Sequence, residues 1–163
     1  MLKHFPFYLQ PDAKDCGPTC LRIVSKFYGK TIPLQNIRNL SETTREGSSL
    51  LGLSDAAEDL GFKSLGVQID FNTLVEEVPL PCIVHWNKQH FVVVYDIIRA
   101  KNQDARIKIS DPSYGLIEYS QEEFIKMWIG ENANENTEEG IALILETTPA
   151  FFSESDSLSF GEG

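Results

Sequence analysis

Among the chain's 3 cysteines, Cys16 is the one placed to react. It lies in Gln10-Pro11-Asp12-Ala13-Lys14-Asp15-Cys16-Gly17-Pro18-Thr19-Cys20, where the pattern predicts a loop becoming a helix. A helix N-terminus carries unpaired N–H groups and partial positive charge, which favour a thiolate over a thiol. Gln10, six residues upstream, can swing its side-chain amide beside Cys16. With the backbone N–H of Cys16 it would form a two-donor pocket for a developing oxyanion. Gly17 would let a substrate backbone approach, and a junction beside Asp15 and Gly17 is a poor place to bury a cysteine. Cys20, one turn on, is the better core cysteine.

A nucleophilic thiol needs a base, and the candidates are His4, His85 and His90. His90 opens the apolar run 91–95, after the loop Asn87-Lys88-Gln89, so a rigid strand would hold its ring. Asp111 ends the run 107–110, and Pro112 stops it. If the two runs pair as a hairpin, His90 and Asp111 meet at one rim and the carboxylate orients the imidazole. Singly, each residue has a plain structural reading: a small buried hydrophobe for Cys16, a turn for Asp111-Pro112, a strand-end histidine for His90. Together, in the order Gln10, Cys16, His90, Asp111, they point to nucleophilic catalysis.

The elements that must position these groups follow from periodicity. Helices are expected over 17–29, 33–40 and 48–60, the last capped by Ser48 or Ser49 and ended by Gly61. Strands are expected over 62–69, 81–86, 91–98, 106–110, 116–119 and 140–145, with a turn or short helix around Leu74. The run 91–95 is continuously apolar, so it is expected in the middle of a sheet, buried on both faces. Ser120-Gln121-Glu122-Glu123 is a capping box opening a helix that Gly130 closes. Helices first and strands later argue an α+β fold with a mostly antiparallel sheet, and a cleft between the two halves.

The chain has 163 residues, enough for one well-cored domain. Its net charge of −10 argues against phosphate-neutralising nucleic-acid binding. The charge is uneven: residues 1–50 carry +3, 51–130 carry −5 and 131–163 carry −8. Three cysteines are no disulfide framework, the N-terminus is a poor signal peptide, and no apolar run is long enough to span a bilayer. The chain as given is expected to be soluble.

The stretch from Gln10 to Leu21, the His85-Trp86…His90-Phe91-Val92-Val93 stretch, and Asp111-Pro112 with Gly115 resemble the C39 cysteine peptidases. These are the N-terminal peptidase domains of bacterial peptidase-containing ABC transporters. The resemblance covers roughly residues 5–148. It implies a papain-like fold, with an N-terminal helical half packed against a mostly antiparallel sheet half. It implies Cys16 as nucleophile, His90 as base and acid, Asp111 as the orienting group and Gln10 as oxyanion donor, with no cofactor. It implies cleavage of a precursor's leader peptide after a Gly-Gly type pair, coupled to export. The partners would be that leader and the transmembrane and ATP-binding domains of a parent transporter, placing the domain on the cytoplasmic side of the inner membrane. Residues 1–148 would be the peptidase domain and 149–163 an acidic linker or tail leading to a transmembrane domain.

Three other readings are weighed beside it. Cys16, Cys20, His85 and His90 could form a Cys2His2 metal site, although the two pairs are 64 residues apart. The domain could dock leaders without cutting them. A Cys-His-Asp acyl- or peptidyl-transferase would pass the acyl group to an amine instead of water.

Overall fold

The computed structural model describes residues 4–41, 47–86, 90–130 and 138–153. The expected loop Asn87-Lys88-Gln89 and the acidic stretch 154–163 lie outside them. Helical spacing in the first third of the chain becomes three helices: α1 (Cys16–Phe27), α2 (Leu34–Ser41) and α3 (Leu50–Leu60). Ser49 caps α3, its Oγ accepting the Gly52 N–H at 2.9 Å. Gly61 ends that helix at φ +106, a left-handed conformation that favours glycine.

Among the described residues six strands follow: β1 (Phe62–Ile69), β2 (Cys82–Trp86), β3 (His90–Ile98), β4 (Arg106–Asp111), β5 (Gly115–Ser120) and β6 (Gly140–Thr147). They form one sheet in the order β1-β6-β2-β3-β4-β5, and every pair is antiparallel. The last strand thus inserts between β1 and β2. The α+β class and the antiparallel sheet are as the sequence implies.

β3 lies inside the sheet, and its apolar run is divided between two cores. Phe91 and Val93 join the core with α1, α2 and α3, whereas Val92 and Val94 join a second core with α4 (Phe71–Glu77) and α5 (Gln121–Trp128). A two-layer picture of helices facing a sheet is therefore incomplete. The second face needs its own cover because the run offers apolar side chains in both directions. The cap of α5 is the expected capping box, with Ser120 Oγ and the Glu123 carboxylate each accepting the other residue's N–H.

The expected linker is corrected at its start. Pro149–Phe152 forms a short helix, α6, and the Phe151 side chain is fully buried. Its ring lies 4.7 Å from that of Phe62, and Thr148 Oγ1 donates to the Gly61 carbonyl at 2.6 Å. A Cβ on Gly61 would sit 2.4 Å from the Phe151 Cα, so this glycine serves both a left-handed turn and a close approach. Composition misleads here because one aromatic in a polar stretch is enough to dock a turn of helix. Phe151→Ala is expected to cost about 3–5 kcal/mol of unfolding free energy in urea titrations. A loss below about 1 kcal/mol would mean that α6 is not part of the domain.

Candidate active site

α1 packs across β3, which brings the first residue of α1 to the first residue of β3. Cys16 is only 7% exposed and belongs to the core between α1, α3 and the sheet. The expectation that this junction is a poor place to bury a cysteine is therefore corrected, and its neighbour is buried too. Asp15 is also fully buried, and its carboxylate is held by both arms of Arg38 from α2. Arg38 Nε donates to Asp15 Oδ1 at 2.8 Å and Nη2 donates to Oδ2 at 2.7 Å. A two-pronged charged pair of this kind makes a buried carboxylate tolerable.

The β3–β4 ladder pairs Val93 with Ser110 and Val94 with Ile109, so the start of β3 runs to the end of β4. His90 Nε2 lies 2.8 Å from Asp111 Oδ1. The carboxylate is buried, with its side chain 3% exposed, whereas the imidazole keeps 23% of its surface open. Asp111 Oδ1 also accepts the Ser113 N–H at 2.8 Å, and the Asp111 carbonyl accepts the Tyr114 N–H at 3.0 Å. Asp111-Pro112 is thus both an ordinary turn and the partner of a histidine.

His90 is hydrogen-bonded to Cys16 as well as to Asp111. With Nε2 committed to Asp111, Nδ1 is the ring nitrogen that remains for the thiol. Burial pulls the imidazole pKa down, but hydrogen bonds to Asp111 and Cys16 and the charges on both outweigh it. The net result is a pKa pushed up to about 9. An imidazolium is thereby held between a carboxylate and a sulfur.

The other histidines are occupied elsewhere. His4 is exposed and its Nδ1 bonds the carbonyl of Phe5 at 3.0 Å. His85 stacks on Phe91 at 4.3 Å, and burial, then the charge of His90, lowers its pKa. Cys20 and Cys82 are fully buried; burial raises both thiols, Cys82 to about 12. Among the described residues, no group of three or more His, Cys, Asp or Glu side chains could hold a metal. The Cys2His2 alternative therefore has no geometric support there.

Gln10 is tied to the same turn as Asp111. Its backbone N–H donates to the Pro112 carbonyl at 2.9 Å, and Ser110 Oγ donates to the Pro6 carbonyl at 2.9 Å. The N-terminal segment is thus fastened along the end of β4. The Gln10 side chain uses one amide hydrogen on the Asp12 carbonyl, at 3.0 Å, and keeps a second. Gly17 is corrected: a Cβ there would lie 3.2 Å from Leu53 Cδ1, so its bareness serves the packing of α1 on α3. Sequence reasoning also missed Arg38, Ser110 and Ser113. An asparagine-type turn could have been anticipated for Ser113 from Asp111-Pro112. No spacing in the sequence links Arg38 to Asp15, because the pair spans 23 residues between two helices.

The family model described as Peptidase C39 family matches residues 4–134. The lactococcin-G-processing and transport ATP-binding protein LagD of Lactococcus lactis subsp. lactis is 37% identical over 126 residues, 74% of this chain and 17% of that protein. The pediocin PA-1 transport/processing ATP-binding protein PedD of Pediococcus acidilactici is 34% identical over 77% of this chain and 18% of its own length. The chain thus spans less than a fifth of the length of these relatives. A crystal structure of a double glycine motif protease from an AMS/PCAT transporter, in complex with the leader peptide, superposes with a TM-score of 0.75 at 32% identity. The match covers 88% of this chain and 91% of that one. The peptidase domain of Streptococcus ComA gives a TM-score of 0.72 at 30% identity, covering 89% of this chain and all of that one. Among the described residues, no helix is long and apolar enough to cross a membrane.

Because the folded-state pKa of His90 is raised from 6.5 to about 9, the stability it contributes is full below pH 6.5. That contribution fades as pH rises through about 9. An NMR titration of the His90 ring is expected to show a midpoint near 9 in the wild type. In Asp111→Ala the midpoint is expected to fall towards the ordinary imidazole value of about 6.5. An unchanged midpoint in the variant would show that Asp111 does not hold the charge.

Proposed function

The chain belongs to the peptidase C39 family, and from that premise we propose that it is a leader-cleaving cysteine endopeptidase domain with a Cys16–His90–Asp111 triad. It would cut a precursor peptide after a Gly-Gly type pair, on the cytoplasmic side of the membrane. Export of the cargo would follow through the transmembrane and ATP-binding domains of the parent transporter, reached through the stretch beyond α6. What supports the reading most is a single imidazole bonded to a buried carboxylate on one side and to Cys16 on the other.

The chemistry is amide hydrolysis in two covalent steps. The Cys16 thiolate attacks the carbonyl carbon of the leader's last residue and a C–S bond forms. The carbonyl oxygen becomes an oxyanion, which the second amide hydrogen of Gln10 and the backbone N–H of Cys16 receive. His90 then gives its proton to the leaving amine, the C–N bond breaks, and the cargo departs with a free N-terminus. Neutral His90 takes a proton from water, whose oxygen attacks the thioester; the leader leaves as a carboxylic acid and the thiolate–imidazolium pair returns. Asp111 stays ionised throughout and keeps the ring in register.

Mixing the protein with a synthetic leader–cargo peptide carrying Gly-Gly at the junction is expected to give two products whose masses fix the cut after the second glycine. Cys16→Ala should release neither product while still binding the leader. Gln10→Ala should lower turnover by on the order of 10²–10³, with little change in leader affinity. Leader binding by the wild type without cleavage of several such peptides would overturn the enzymatic reading in favour of a docking module. A product joined to an added amine would favour a transferase.

A further inference from the structure

The carboxylate of Asp15 belongs to the residue directly before the nucleophile and lies at the N-cap of the helix that Cys16 opens. It gives that helix no side-chain cap. It is fully buried, where a carboxylate without a partner is costly. Arg38 reaches it from α2 with two parallel hydrogen bonds, at 2.8 and 2.7 Å, and is itself braced by Gln35 Oε1, which accepts from Nη1 at 2.9 Å. Titratable groups of several elements act on the thiol or on the Asp15–Arg38 pair. Cys20 on the same helix and His90 from β3 interact with Cys16, Asp111 from β4 acts on both Cys20 and His90, Asp12 on the preceding turn acts on Arg38 from α2, and Lys14 adjoins Asp15 in that turn. His85 on β2 acts on this set through His90, and α3 meets the start of α1 with apolar Leu53.

Resting on the reading of Cys16 as nucleophile, we propose that Arg38 is a positioning residue that cancels the charge of Asp15 beside the thiolate and locks the first turn of α1. Without the guanidinium, a buried negative charge would stand next to a developing negative sulfur. With it, the pair is neutral and the field at the sulfur is left to His90 and the helix N-terminus. The pair therefore sets the pH range in which Cys16 is a thiolate, although neither member touches substrate.

The test is the rate of iodoacetamide alkylation of the full chain against pH, with the modified residue located by mass spectrometry. Arg38→Met is expected to raise the midpoint of alkylation by about one pH unit, on the order of tenfold slower reaction below it. Asp15→Asn, which leaves Arg38 unopposed, should move the midpoint the other way. The Asp15→Asn/Arg38→Met double variant should return close to wild type, and Arg38→Lys, which keeps the charge, should stay near it. An unmoved midpoint in Arg38→Met, or single variants that shift in the same direction, would overturn the proposal. Should Arg38→Met fail to fold by circular dichroism, the downward shift in Asp15→Asn decides. A fast-alkylating thiol that survives Cys16→Ala would instead sink the nucleophile reading on which this rests.

Discussion

The antiparallel ladder between β3 and β4 carries the 2.8 Å contact of His90 with Asp111, and the rest of the candidate site is built outward from that pair. Strand register is unforgiving, because a slip of one residue turns every side chain to the opposite face. Here the register is pinned by burial on both faces: Val92 and Val94 lock into one core, Phe91 and Val93 into the other. Neither core can be kept if β3 slides. The register that places His90 is therefore set by the middle of the sheet, even though the residue itself stands at its rim.

Helix α1 then delivers the sulfur to this fixed point. Its placement depends on bare and charged contacts as well as apolar ones. Gly17 lets α3 come close, with Leu53 in the space a side chain would fill. Asp15 and Arg38 let the helix begin in the interior without an unpaired charge. The N-terminal segment closes the arrangement from the other side, since Pro6 is bound by Ser110 and Gln10 is bound to Pro112, both next to Asp111. Cys16, His90, Asp111 and Gln10 thus come from four segments that converge on one rim.

Much of this was legible in the sequence, and for physical reasons. Apolar spacing revealed α1 and α3, and the unbroken run at 91–95 revealed a strand buried on both faces. The meeting of His90 and Asp111 was legible because both fall at the ends of strands that a hairpin would join. What stayed hidden were interactions with no local signature. Arg38 looks like any basic residue on an amphipathic helix until tertiary packing sets it against Asp15. The second helical layer on α4 and α5 was implicit in the same apolar run that located β3. Phe151 stands at the start of a Ser-, Glu- and Gly-rich stretch that reads as linker, yet one ring against Phe62 and Tyr28 holds α6 to the domain.

In the proposed mechanism Cys16 carries the leader as a covalent thioester. Acid-quenching the reaction of the protein with a Gly-Gly leader peptide within one turnover, then mapping proteolytic fragments by mass, tests it most directly. The account predicts a fragment containing Cys16 that is heavier by the leader acyl group and returns to its free mass as the cleaved leader appears. Product forming while Cys16 stays unmodified at every quench time, or the adduct on another residue, would contradict it.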